Sequence, residues 1–233
     1  MPVRCYFIRT FIWNFTVIKM LKHIAFDFDG TLADSVDFCL SVFETIFARY
    51  MGENAPSRED IYQNFGMNEP GVLRFFIGKT LPEAEEDFYR IHRQKHKELC
   101  PAPFPGCIEF LEHLREKNLE LSILTGRSET TCQISMEVLN MGKYFSSFQY
   151  GAPEKNDKTG HLLKLMREKS LAPDELLYIG DAVSDAEASQ RANVRCLSAA
   201  WAKSARIGEL EKINPDLVFT SVRSMQDYID KLL

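Results

Sequence analysis

From Ile24 a short unbroken apolar run ends abruptly on Asp27 and Asp29. A continuous hydrophobic run predicts a buried parallel strand, and the carboxyl end of such a strand is where open α/β sheets hold ligands. From Val36 the spacing turns helical. Val36, Leu40, Phe43, Phe47 and Tyr50 recur every three or four residues, with Asp34 or Ser35 placed to cap the start and Gly52, Asn54 and Pro56 to end it. Three more helices are predicted: Ser57 to Phe65, Pro70 to Ile77 between Gly66 and Gly78, and Pro82 to about Leu99, with Glu83, Glu85 and Glu86 in its first turn. No strand pattern interrupts them, so residues 35–103 read as an all-helical insertion, closed by the stiff Pro101-Ala102-Pro103-Phe104-Pro105 stretch.

Beyond Gly106 the texture alternates. Helix Cys107 to Lys117 leads to strand Leu119 to Leu124, helix Glu129 to Met141, a short strand near Phe148 to Gly151 and helix Gly160 to Lys169. Strand Leu176 to Ile179, helix Ala182 to Ala192, strand Val194 to Leu197, a helix around Ala205 to Lys212, strand Leu217 to Phe219 and helix Met225 to Leu233 follow. Such alternation predicts an α/β, Rossmann-like doubly wound parallel sheet. The expected organisation is an N-terminal extension (1–20), a core (21–34 and 104–233) and an inserted helical cap (35–103).

Composition narrows the class. With 233 residues and 45% hydrophobic content the chain can bury a core, while a net charge of −5 leaves no electrostatic footprint for nucleic acid. Arg93-Gln94-Lys95-His96-Lys97 reads as a solvated helix face. Six scattered cysteines without a Cys-x-x-Cys pair point to a reducing cytoplasm. Residues 1–20 carry a broken apolar run after Arg4 and Arg9, too short to span a bilayer. They read as an extra segment, with Met20 as an alternative start and a peripheral anchor as the other reading. No membrane or nucleic-acid partner is expected, and oligomeric state is not readable.

Asp27 and Asp29 alternate with Phe28, so on an extended backbone both side chains leave the same face. Carboxylates held that close repel unless a cation joins them or one takes a proton. A hard divalent metal and a phosphoryl group are the natural occupants. A calcium loop is excluded because Thr31, Leu32 and Phe38 stand where it needs Asp or Asn, Gly and Glu. A hairpin turn is excluded because a helix follows. Later strand ends add Thr125-Gly126-Arg127, then Lys158 at the opening of a helix, then Gly180-Asp181 with Asp185 one turn on. Each alone reads more readily as a helix cap or a surface charge. Together, in this order, they form a set of phosphate-handling groups on one rim.

With these four stretches in place, residues 22–233 resemble the haloacid dehalogenase superfamily, in the branch with a helical cap after the first strand and closest in type to phosphoglycolate phosphatases. Asp27-Phe28-Asp29-Gly30-Thr31, Thr125-Gly126, Lys158 and Gly180-Asp181 with Asp185 match its four motifs, and Ala199-Ala200-Trp201-Ala202 and Asn214-Pro215-Asp216 also read like the glycolate-type members. The resemblance implies Asp27 as nucleophile, Asp29 as acid and then base, and Thr125, Gly126, Arg127 and Lys158 as phosphate or substrate contacts. It also implies Mg²⁺ held by Asp27, the Asp29 carbonyl and Asp181, with Asp185 ligating or orienting. Lys155 is a rival for the lysine role; Lys158 is preferred because it directly precedes the Thr159-Gly160-His161-Leu162-Leu163 helix. Arg127 either reaches substrate or caps the next helix. The implied activity is Mg²⁺-dependent hydrolysis of a small phosphorylated metabolite, with a phosphomutase, a pyrophosphatase or a non-catalytic phosphate-binding module as alternatives. Substrate choice is expected from Gly66-Met67-Asn68-Glu69-Pro70, Arg74 and Lys79.

Overall fold

A computed structural model describes residues 21–154 and 157–233. The expectations for residues 1–20 and for Lys155 lie outside the described residues. The apolar run forms β1 (His23–Phe26) at the middle of a six-stranded, all-parallel sheet. On one side stand β2 (Glu120–Leu124) and β3 (Ser147–Gln149). On the other stand β4 (Leu176–Gly180), β5 (Arg195–Ala199) and β6 (Val218–Phe219). The order β3-β2-β1-β4-β5-β6 reverses direction between β1 and β4. That switch point opens a crevice beyond the carboxyl ends of these two strands.

Strand periodicity decides which side chains meet which helices. Ile24, Phe26, Leu177 and Ile179 join the cluster built by α5 (Cys107–Glu116) and α10 (Val222–Ile229), through Phe110, Leu111, Leu114, Met225 and Ile229. Ala25, Leu176 and Tyr178 face the opposite layer, α7 (Lys158–Lys169) and α8 (Val183–Ala192), through Leu162, Leu165 and Ala186. Each fully buried Leu, Ile or Phe side chain contributes about 1.5–3 kcal/mol relative to exposure.

The insertion is helical as expected: α1 (Val36–Met51), α2 (Arg58–Gln63), α3 (Glu69–Ile77) and α4 (Pro82–Leu99). Aromatic rings hold it together. Phe43 meets Phe88 of α4 at 4.6 Å between centroids, and Phe47 meets Phe76 of α3 at 5.2 Å. The chain leaves and returns at adjacent points, because Phe104 N–H donates to the Leu32 carbonyl at 2.9 Å. The remaining helices are α6 (Glu129–Val138) and α9 (Ile207–Ile213).

Several ends differ from the periodicity, and caps explain them. α6 stops at Val138 rather than Met141, and Asn140 follows at φ +53°. α7 starts at Lys158 rather than Gly160 because the Asp157 carboxylate accepts Gly160 N–H at 2.9 Å. α10 starts at Val222 rather than Met225, capped by Ser221. Ser57 caps α2 as expected, reciprocally with Asp60. Ser35 precedes α1, but its hydroxyl makes no capping bond and donates to Asp29 instead.

Candidate active site

The turn after β1 separates the two carboxylates that an extended backbone would have kept on one face. β1 ends at Phe26, and the Phe28 carbonyl accepts the amides of Thr31, Leu32 and Ala33 at 3.3, 2.9 and 3.3 Å. Gly30 sits in this turn at φ +72°, and a Cβ there would stand on the Asp181 carboxylate. Asp27 therefore faces the crevice between β1 and β4, while Asp29 turns toward α6 and the insertion.

On the crevice side, one oxygen of Asp27 accepts Phe28 N–H at 2.8 Å and the other accepts from Lys158 Nζ at 2.6 Å. The same ammonium donates to Asp185. Asp185 is wholly buried and also accepts Tyr178 O–H at 3.2 Å and Ala182 N–H at 3.0 Å. Asp181 accepts Thr31 O–H at 3.4 Å, and Trp201 Nε1–H donates to the Thr31 carbonyl at 3.0 Å. Carboxylate oxygens of Asp27, Asp181 and Asp185 come within 4.8 Å of one another.

Crowding of like charges is felt in their protonation. Burial pushes Asp27 up to about 7, with Lys158 opposing and Asp185 adding to the rise. Burial, then Asp185 and Asp27, push Asp181 well above the usual carboxylate range. Burial works against the Lys158 charge, but Asp185 and Asp27 outweigh it and hold the ammonium firmly protonated.

Asp29 lies in different surroundings. Arg127 Nε and Nη2 donate to its two oxygens at 2.8 and 2.6 Å, and Ser35 donates to one of them. Burial disfavours its charge, yet Arg127 and Ser35 outweigh burial and hold Asp29 below the usual carboxylate range. The Asp29 carboxylate is thus apart from the three-carboxylate cluster. Arg127 neither lines the crevice nor caps α6; its guanidinium is buried against Asp29, and Ser128 is the cap.

Thr125 is fully buried at the end of β2, and its hydroxyl oxygen accepts Arg127 N–H at 3.2 Å. Beside it the Gly126 backbone lies against Gly151, where a Cβ would stand on the Gly126 carbonyl. The insertion reaches the same rim through its α2–α3 loop. Asn68 donates to the Gly151 carbonyl at 3.0 Å and caps α3, and Glu69 accepts Thr131 O–H at 2.6 Å. Arg74 pairs with Glu154 at 3.4 Å on the surface, and Lys79 is exposed.

The strand-end residues expected to converge thus do so for Asp27, Lys158, Asp181 and Asp185, while Asp29 and Arg127 form a second, separate pair. Sequence reasoning assigns Tyr178, Ser35 and Trp201 no place at the site: Ser35 is expected only as a helix cap and Trp201 only as part of the Ala199-Ala200-Trp201-Ala202 stretch. Tyr178 was findable, since its place on β4 shares the face that Ala25 presents to α7 and α8. Nothing in the spacing marks Ser35 or Trp201 as a neighbour of the site.

Known proteins agree with this architecture. A phosphoglycolate phosphatase of Pseudomonas syringae pv. syringae is 25% identical over 219 residues, covering 89% of this chain and 79% of that protein. The pyrophosphatase PpaX of Oceanobacillus iheyensis is 24% identical over 213 residues, covering 88% and 95%. The fold matches that of CbbY from Rhodobacter sphaeroides, solved in complex with phosphate, at a TM-score of 0.70 and 16% identity over 87% of this chain and 95% of that one. Residues 24–199, from β1 through β5, match the haloacid dehalogenase-like hydrolase family, and the chain belongs to it.

Proposed function

We propose that this hydrolase is a Mg²⁺-dependent phosphatase, releasing phosphate from a small phosphorylated metabolite of the phosphoglycolate or sugar phosphate kind. The observation that carries the reading is the Lys158 ammonium lying between Asp27 and Asp185, beside the cluster that Asp181 completes. Three hard oxygen donors within 4.8 Å of one another suit a divalent cation, and so does the raised Asp27, which a cation would relieve. Asp27 and Asp181 would hold Mg²⁺, with Asp185 and the Asp29 carbonyl as the further candidates. The metal would supply positive charge for the phosphoryl oxygens.

The chain's own residues then divide the reaction. An oxygen of Asp27 attacks phosphorus, the bond to the ester oxygen breaks, and the departing alkoxide takes a proton from Asp29 to leave as an alcohol. In the second half Asp29 takes a proton from water, whose oxygen displaces Asp27 and frees phosphate. Lys158, Thr125 and the Gly126 amide bind phosphoryl oxygens, offsetting the repulsion between carboxylate and phosphate. The Arg127 fork favours ionised Asp29. That form suits the water step, in which Asp29 accepts a proton.

A phosphoanhydride is the second reading. Phosphate leaves without needing a proton, so an ionised Asp29 suits it, and one of the relatives above is a pyrophosphatase. In either case residues 35–103 act as a cap over a core of residues 21–34 and 104–233, closing to exclude water and opening to release product. Buried free thiols at Cys39, Cys100, Cys107, Cys132 and Cys196 support a reducing, cytoplasmic setting. Among the described residues no helix is long and apolar enough to cross a membrane.

Phosphate release from phosphoglycolate, sugar phosphates and pyrophosphate, with Mg²⁺ and with chelator, tests the reading. Mg²⁺-dependent turnover is expected, reduced about a thousandfold or more in Asp27→Asn. Equal turnover by wild type and Asp27→Asn rules out the assigned nucleophile.

A further inference from the structure

We propose that Arg127 is a positioning residue that couples the placement of Asp29 to the seating of the helical insertion on the sheet. This inference rests on the proton-transfer role given to Asp29 above. Arg127 is 4% exposed, and its donors reach both parts of the molecule. Toward the sheet it grips both oxygens of Asp29, donates from Nη1 to Ser135 at 2.7 Å, and lies over the Phe28 ring at 4.7 Å. Toward the insertion, Nη1 stands 3.3 Å from His92 Nε2 on α4 and Nη2 stands 3.1 Å from Cys39 Sγ on α1. Phe38 of α1 covers it at 5.7 Å.

A buried guanidinium needs an acceptor for each N–H, and here the insertion supplies part of the set. His92 can accept only as the neutral ring with its proton on Nδ1. Burial, then the Arg127 charge, keep His92 far below its ordinary pKa, which preserves that acceptor. Withdrawing α1 and α4 would strip Arg127 of His92, Cys39 and Phe38 while leaving it on Asp29 and Ser135. The fork then loses the support on its far side, and Asp29 gains freedom to turn. Coupling of this kind is reciprocal: whatever moves Asp29 also changes how firmly the insertion sits.

A double-mutant cycle on kcat tests the proposal, using whichever phosphate substrate the wild type turns over. Arg127→Met is expected to lower kcat about a hundredfold with KM changed less than about threefold, as displacement of a reacting group does. In an Asp29→Asn background the same change is expected to lower kcat less than about threefold further. His92→Leu, which removes one of the insertion's acceptors and leaves Cys39, is expected to follow the same pattern at smaller size, and it carries the test if Arg127→Met does not fold. Equal losses in both backgrounds overturn the inference and leave the functional reading standing. A rise in KM alone overturns it too, since it makes Arg127 a substrate contact. Wild-type kcat in Asp29→Asn overturns both the inference and the role of Asp29, and Asp27→Asn decides the nucleophile separately.

Discussion

Glu69, the first residue of α3 in the insertion, accepts the backbone N–H of Ser128, the cap of α6 beside the sheet, at 2.7 Å. Its other oxygen accepts Thr131 O–H, so a carboxylate from one part of the chain completes the amino end of a helix in another, where its charge also meets the helix dipole favourably. Glu69→Ala leaves a buried amide without its acceptor. We expect a stability loss of about 1–3 kcal/mol and faster amide exchange at Ser128 than at the centre of α6. Unchanged exchange at Ser128 would show that the contact does not hold the insertion in place.

Asp27 is pushed from 3.8 up to about 7 by burial, so without a cation the folded chain keeps a proton that the unfolded chain has lost. Its contribution is fully present below pH 3.8 and drains away as pH rises to about 7. Under the proposed function Mg²⁺ would compete with that proton and relieve the repulsion that replaces it. The rise in Tm on adding Mg²⁺ should therefore be larger at pH 8 than at pH 5.5, and should shrink in Asp181→Asn. An equal rise at both pH values would exclude Asp27 from the metal's surroundings.

His23 shows the opposite sign. Burial, the largest cause, lowers it from 6.5 to about 4, with Glu120 opposing and Lys169 adding, and its Nε2 lies 2.6 Å from the Ser122 hydroxyl. Below pH 6.5 the unfolded chain binds a proton that the folded chain refuses, so stability falls from pH 6.5 to about 4 and then levels. The loss from this residue is about 3 kcal/mol over that window. Urea unfolding of wild type and His23→Gln at pH 7 and pH 4.5 should show a smaller acid loss in the variant.

Gly30→Ala attacks the cradle through the backbone. The residue lies at φ +72°, and its new methyl would stand on Asp181. Strain of about 1–2 kcal/mol should accompany loss of Mg²⁺-dependent phosphate release and of the Mg²⁺-induced rise in Tm. A folded variant that retains both would show that Asp181 does not need to lie against this turn.

Much of this was legible in the chain because buried parallel strands advertise themselves as apolar runs and their following residues converge by topology. Asp27, Lys158, Asp181 and Asp185 were found in that way. The facing of Asp29 was not, since the rule of alternation holds only while the strand lasts, and β1 ends at Phe26. The burial of Arg127 against Asp29 was not legible for a related reason: a cation after a strand looks available to a ligand. Only the packing of α1 and α4 against it shows that its donors are already committed. Caps such as Asp157 and Ser221 shifted helix ends by two or three residues, because a single side-chain bond outweighs weak periodicity at a terminus.

The bond from the Trp201 indole to the Thr31 carbonyl puts an optical probe one residue away from Asp181, which the Thr31 hydroxyl meets. The chain carries two tryptophans, Trp13 and Trp201. Replacing Trp13 with Phe leaves a single emitter, so its fluorescence would follow phosphate or Mg²⁺ arriving beside Asp181 in real time, with no label attached.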